Sequence, residues 1–375
     1  MKPLIKWPGG KFGEFKYIEQ LIPQHDRYIE PFFGGGAIFF HMSPPRALIN
    51  DLSADLMQFY TFVKQGNKTF KQILYTYNDL WTKIMGMFID TIYPEIYAIY
   101  IAGRLNATKP EELCIKAAEV LDRSQSLFLR SFDGPYIGES KQLYQEVRTN
   151  LLDKLKRMIR LENSMGKLLD ERDLRNNIET GFRSGFYMHL RNLHNRTTAE
   201  QFGSTEEKTA VFYFIREFCY GSMFRYNRRG HFNIPYGGIA YNTKNFQRKL
   251  DDLFLPKTRE VFKNTKLYNM DFEAFLQSLD LQASDFVFLD PPYDSEFSDY
   301  EGVSFDQEDQ RRLADFLLHT KARFILIIKA TEYVTKLYGQ KKSIRILDFD
   351  KQYTYNVRSR NNRTVKHLII TNCQE

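Results

Sequence analysis

The chain has 375 residues, 43% of them hydrophobic, with 32 Phe, 23 Tyr and a formal net charge of +7. That length allows one large domain or two ordinary ones with an ample core, and the positive balance suits an anionic partner such as nucleic acid while saying nothing about fold. Three widely spaced cysteines, Cys114, Cys219 and Cys373, argue against a disulfide framework and a paired-cysteine zinc site; with no signal-peptide core at the N-terminus and no apolar run near the roughly 18 residues that span a bilayer, the expectation is a cytoplasmic protein.

In chain order, RYIE (27–30) reads as a short strand entering the glycine turn PFFGGG, AIFFHM as a helix stopped by Ser43-Pro44-Pro45, RALIND (46–51) as a second strand and SADLMQFYTFVKQ as a second helix. Strands alternating with helices imply a parallel sheet. From about residue 66 to 222 helical periodicity takes over. LLDKLKRMIRLENSMGKLLDE (151–171) carries apolar residues three and four apart. SFDGPYIGES (131–140) reads as an internal loop, and Ser204 with Glu207 has capping-box spacing. FRYNRRGHFNIPYGG (224–238) is turn-rich, basic and aromatic.

The α/β alternation then resumes. TKLYNMDF (265–272) is a predicted strand, EAFLQSL a helix, DFVFLD (285–290) a buried strand, DQRRLADFLLHT (309–320) a helix and RFILIIKA (323–330) another buried strand. QYTYNVRS and TVKHLIITN flank RNNR as a terminal hairpin. The expected organisation is a discontinuous α/β domain, residues 1–65 and 251–375, interrupted by a mostly helical domain, residues 66–250.

Ligands of open α/β sheets bind outside the carboxyl ends of the strands. Four acids stand there: Glu30, Asp51, Asp271 and Asp290. The three glycines of EPFFGGGA (30–37) allow close backbone approach to a ligand, the plain alternative being a strand-to-helix turn. Asp51 suits a ribose diol, because a carboxylate accepts from two adjacent hydroxyls; its alternative is a helix cap. KWPGGK (6–11) is a lysine-bearing turn that can meet a carboxylate or phosphate, or simply lie on the surface.

DPPY (290–293) carries the sharpest chemistry. The exocyclic amine of a nucleobase is a poor nucleophile, its lone pair being delocalised into the ring. The Asp290 carboxylate and the Pro291 carbonyl, both accepting from that amine, would localise the lone pair. Pro291 and Pro292 stiffen the backbone so that both acceptors stay aimed, and Tyr293 would stack on the base. This pattern points to amine methylation without separating DNA from RNA or protein amides, or adenine N6 from cytosine N4.

KWPGGK, YIEPFFGGGA, IND, NMDF, RYNRRGHFNIPYG and FVFLDPPY together resemble the Dam-type, class α DNA adenine N6-methyltransferases, over roughly residues 1–65 and 212–375. The resemblance implies a Rossmann-like S-adenosylmethionine-dependent sheet with a large inserted helical DNA-recognition domain carrying a β-hairpin. It implies methylation of an adenine flipped out of double-stranded DNA, by a solitary enzyme or by one paired with a cognate restriction endonuclease, and no metal. Trp7, Lys11, Glu30, Phe32, Gly34, Gly36, Asp51, Asp271, Phe272 and Asp290 are the implied cofactor contacts. Arg225, Asn227, Arg228, Arg229, Asn233 and Tyr236 are the implied DNA contacts of the hairpin. Arg358, Arg360 and Arg363 form a second basic segment able to grip phosphates. Residues from about 75 to 205 have no segment that matches the family.

Overall fold

The computed structural model describes residues 1–7, 12–106, 108–200, 203–223, 225–292, 305–352 and 364–373. The chain divides into two compact units, one of Met1–Gly66, Met223–Gly230 and Leu253–Glu375, the other of Asn67–Ser222 and His231–Asp252.

The first unit is built on seven strands: β1 (Arg27–Glu30), β2 (Ala47–Asn50), β3 (Thr265–Tyr268), β4 (Asp285–Leu289), β5 (Arg323–Lys329), β6 (Arg345–Gln352) and β7 (Thr364–Thr371). They form one sheet in the order β3-β2-β1-β4-β5-β7-β6. Strands β1 to β5 run parallel, and β7 is antiparallel to both β5 and β6. The interior strands read as continuous apolar runs, and every residue of β4 is buried, as a parallel sheet covered on both faces demands. This is a Rossmann-like α/β sheet. The chain winds outward from β1 through β2 to β3 and resumes on the other side of β1 with β4, pairing Tyr28 with Phe286. That reversal lies between β1 and β4, the position where doubly wound sheets open a crevice at their carboxyl ends.

The helices, in chain order, are α1 (Phe15–Ile18), α2 (Ala37–Met42), α3 (Ala54–Gln65), α4 (Lys68–Asp79), α5 (Met85–Leu105), α6 (Pro110–Ser131), α7 (Ser140–Met165), α8 (Glu171–Glu200), α9 (Thr205–Phe218), α10 (Phe246–Leu253), α11 (Pro256–Val261), α12 (Phe272–Gln277), α13 (Gln307–His319) and α14 (Glu332–Tyr338). Ser53 caps α3 through its hydroxyl, which accepts from the Leu56 N–H. Gly66, at φ 63°, ends it.

The second unit holds α4 to α9. Helix α9 is buried on every face from Thr209 to Phe218, the pattern of a helix surrounded by others. Its start is a reciprocal capping box: the Ser204 hydroxyl accepts from Glu207 N–H and the Glu207 carboxylate from Ser204 N–H. Helices α7 and α8 cross closely at Gly181 and Gly185; a Cβ on Gly185 would lie 2.3 Å from Val147 Cα. A π-helical turn, Leu80–Ile84, joins α4 to α5. The continuous stretch Lys68–Leu105 is long and apolar enough, by length and composition alone, to cross a membrane. It nonetheless buries Phe70, Ile73, Leu74, Tyr77, Trp81, Phe88 and Ile92 within the protein.

Several local expectations are revised. The strand predicted over 265–272 stops at Tyr268, because Asp271 turns away to cap α12. The helical stretch 151–171 is two helices, broken at Gly166 with φ 62°. Among the described residues, the strand before the terminal turn is Arg345–Gln352, which includes the first residue of QYTYNVRS; the rest of that segment and the RNNR turn lie outside the described residues.

Candidate active site

The glycine turn after β1 is held from several sides. Gly34 and Gly36 adopt φ 50° and 64°, the left-handed region. A Cβ on Gly34 would lie 2.8 Å from the indole Cδ1 of Trp7, and one on Gly36 would lie 2.5 Å from Phe33 Cζ. Trp7 therefore packs directly on the turn. The Tyr60 hydroxyl donates to Gly34 O (3.0 Å), and Phe33 N donates to Asn50 O (2.9 Å).

Three acids converge at the carboxyl ends of β1, β2 and β4. Glu30 is buried at 2% exposure and accepts from the Tyr28 hydroxyl at 2.8 Å. Burial raises its carboxyl well above the usual carboxylate range; the Tyr28 bond opposes the shift, and the nearby charges of Asp290 and Asp51 add to it. Asp51 is not the cap of α3, a role filled by Ser53. Its Oδ2 accepts from Gly34 N (2.8 Å) and its Oδ1 from Ser53 N (3.0 Å). Burial raises this carboxyl too, against the pull of those backbone donors. Asp290 is half-buried, Pro291 buried and Pro292 half-buried.

Asp271 has a different setting. Its Oδ1 accepts from Glu273 N, Ala274 N and the Arg312 guanidinium (2.7 Å). Arg312 also bonds Glu273 and Asp309 and lies 4.8 Å from the centre of the Phe272 ring. Phe272 meets Phe32 at 5.2 Å, and Phe305 packs against both rings. An aromatic wall thus adjoins the acid cluster.

Sequence reasoning passed over Asn50. At 1% exposure, its amide donates to Pro31 O and Met270 O and accepts from Met270 N, each at 3.0 Å. It ties the loop after β1 to the loop after β3. Asn269 adds bonds to Asp51 O and Leu52 O. The available signal was a polar residue ending an apolar strand just before Asp51.

The basic segment is only partly an exposed surface. Arg225, Asn227, Arg228 and Arg229 are exposed, in a turn where Asn227 Oδ1 accepts from Arg229 N (2.9 Å) and Gly230 has φ 73°. Asn233 is half-buried. Tyr236 is 7% exposed, bridges to Cys219 as an isolated β-pair and donates its hydroxyl to Asn242 Oδ1 (3.0 Å); its ring packs near Trp81 and Tyr187. Its side chain is thus part of the packed interior, where the sequence suggested a nucleic-acid contact. Lys11, Tyr293, Arg358, Arg360 and Arg363 lie outside the described residues.

A family model for the D12 class N6 adenine-specific DNA methyltransferases matches residues 7–84 and 137–355. The chain belongs to this family. The match runs through α7 and α8, in the stretch where the motifs offer no corresponding segment, and leaves residues 85–136 outside it. Among curated relatives, the type II methyltransferase M.CviBI of Paramecium bursaria Chlorella virus NC1A is 26% identical over 99% of this chain and 100% of its own length. The type II methyltransferase M.MjaIII of Methanocaldococcus jannaschii is 25% identical over 91% of this chain and 87% of its own. The DNA adenine methylase of Vibrio cholerae is 21% identical over 90% and 84%. In this D12-class methyltransferase, then, the acids, the glycine turn and the aromatic wall gather at one sheet edge.

Proposed function

We propose that the edge formed by β1, β2 and β4 binds S-adenosylmethionine and an adenine extruded from duplex DNA, and that methyl transfer to adenine N6 takes place there. The observation that carries this reading is the convergence of Glu30, Asp51 and Asp290 beside a turn whose glycines leave no room for side chains. The local chemistry fits the cofactor. The buried Glu30 carboxyl, whose charge is opposed by those of Asp290 and Asp51, favours a cationic ligand. The Asp51 carboxylate accepts from the backbone N–H groups of Gly34, Ser53 and Leu52 and keeps acceptor capacity for a ribose hydroxyl. The cofactor supplies an electrophilic methyl group carried on a sulfonium.

The chain's own residues do the rest. Glu30, Phe32, Gly34 and Gly36, with Trp7 and Lys11, would surround the methionine portion, and Asp51 would hold the ribose. Phe272, with Asp271 beside it, would flank the adenine ring of the cofactor. Asp290 and the Pro291 carbonyl would accept from the two N–H groups of the target amine, localising its lone pair, and Tyr293 would stack on the base. The amine cannot reach this edge from inside the duplex, so the base must leave the stack. Acceleration would come from positioning and preorganised acceptors. Arg225, Arg228 and Arg229 would meet the DNA, with Arg358, Arg360 and Arg363 on phosphates.

The test is to incubate the purified protein with duplex DNA of varied sequence and methyl-labelled cofactor, then digest to nucleosides. N6-methyladenine is the expected product, and Asp290→Ala should abolish it while leaving DNA binding intact. Label in N4-methylcytosine, or none in any nucleoside, would refute the reading.

A further inference from the structure

One face of α8 grips the segment that follows the basic turn. Tyr187, Arg191 and Asn195 stand four residues apart and so share a helix face. The Tyr187 hydroxyl donates to Ile234 O at 2.9 Å, and Arg191 Nη1 donates to the same oxygen at 3.4 Å. The Asn195 amide clamps both backbone groups of one residue: Nδ2 donates to Phe232 O (3.1 Å), and Oδ1 accepts from Phe232 N (2.8 Å). The far end of the segment is pinned by further bonds. Tyr220 N donates to Pro235 O, Gly237 N donates to Phe218 O, and Tyr236 bonds Asn242, whose amide donates in turn to Thr180 Oγ1 and Asn176 O.

These bonds fix a two-residue alternation. Phe232, Ile234 and Tyr236 are buried at 1%, 1% and 7% exposure, whereas His231 and Asn233 are half-buried and Pro235 is exposed. Because side chains in an extended segment alternate, a slip of one residue would turn Asn233 inward and the apolar set outward. These bonds from Tyr187, Arg191 and Asn195 go to backbone groups, so they define register whatever the side chains are. Asn195 is the one member that holds an N–H and a C=O together, which makes it the register lock.

We infer that Asn195, supported by Tyr187 and Arg191, positions the 231–236 segment and thereby sets the base preference of the enzyme without touching DNA. This rests on the reading that the segment around residues 225–233 meets the DNA. It also assigns a role to α8, a helix inside the stretch whose purpose the motifs left open.

The test uses the full-length protein, methyl-labelled S-adenosylmethionine and a duplex library randomised in sequence, with sequencing of the methylated products. Four variants are compared with wild type: Asn195→Ala, Asn195→Asp, Tyr187→Phe and the pair Arg228→Ala/Arg229→Ala. Asn195→Ala should lower the preference for the best sequence over the next best by about tenfold, the scale of one lost base discrimination. It should raise KM for the preferred DNA while kcat stays within about twofold, since positioning of the DNA rather than chemistry is lost. Asn195→Asp keeps the acceptor for Phe232 N and should fall between wild type and Asn195→Ala. Tyr187→Phe removes a single hydroxyl from a packed ring and should shift preference in the same direction, so the inference stands even if Asn195→Ala folds poorly. Unchanged preference and KM in folded Asn195→Ala and Tyr187→Phe, with the arginine pair weakening DNA binding, would overturn the inference alone. Unchanged DNA binding in the arginine pair would overturn the DNA reading of the turn and this inference with it.

Discussion

Asn50 offers the sharpest test of how the site is held together. Its amide makes three bonds of 3.0 Å, to Pro31 O, Met270 O and Met270 N, from a side chain almost wholly out of solvent. Asn50→Ala strands those three backbone groups at the ends of two loops. A buried polar group left unpaired costs about 1–3 kcal/mol. At the lower limit, since the Met270 side is only partly buried, the expected loss is about 3 kcal/mol. Because the lost bonds join the loops that carry Glu30, the glycine turn and Asp271, cofactor affinity should fall by about tenfold or more, equivalent to about 1.4 kcal/mol. Urea denaturation measures the first effect, calorimetric titration with S-adenosylmethionine the second, and amide exchange at Met270 reports the broken bond directly. Asn50→Asp keeps the acceptor for Met270 N but loses both donations and adds a carboxylate beside Asp51, so it should be at least as destabilised at neutral pH and recover in mild acid. A change below about 0.5 kcal/mol in Asn50→Ala, with unaltered affinity, would refute the view that this amide couples the two loops, because that is the range of ordinary surface substitutions.

The remaining predictions concern charge and backbone. Since burial raises the Glu30 carboxyl in the folded state, the folded protein holds this proton where the unfolded chain has released it. Stability of the ligand-free protein should therefore fall as pH rises from the ordinary carboxylate range; Glu30→Gln should flatten that slope in thermal unfolding scans and still impair cofactor binding. Gly34→Ala places a Cβ 2.8 Å from Trp7 at φ 50° and should cost about 1–2 kcal/mol from the left-handed backbone alone, with weaker cofactor binding by titration. For the pair Arg228→Ala/Arg229→Ala, the dependence of log affinity on log salt should flatten by about 0.9 for each phosphate contact removed, measured by fluorescence anisotropy on duplex DNA.

Much of the fold could be read before any coordinates, because its signals are local. RYIE, RALIND, DFVFLD and RFILIIKA are short apolar runs bounded by turns, and all four form strands. Ser204 and Glu207 form the capping box their spacing suggested. The departures are local too. The run TKLYNMDF predicts a strand through Asp271, yet the Asp271 side chain accepts from two N–H groups of α12 and an arginine from α13, a choice made by tertiary contact. Tyr236, a DNA contact implied by the resemblance, has its ring in the packed interior.

The sequence by itself determined the inventory: acids at strand ends, a glycine turn after the first strand, DPPY late in the chain, and a helical stretch between them. These follow from residue chemistry and spacing along the chain. Only the tertiary structure decided adjacency. Strand β4 pairs with β1 across more than two hundred residues of chain, which brings Asp290 to the edge that bears Glu30. Asn50 bridges two loops, and α8 holds the backbone at Phe232 and Ile234, through bonds between residues far apart in sequence. Such contacts are made when packed layers bury a shared core, and no local propensity specifies them. The helix face that grips a distant backbone reads, in sequence, like any other amphipathic helix.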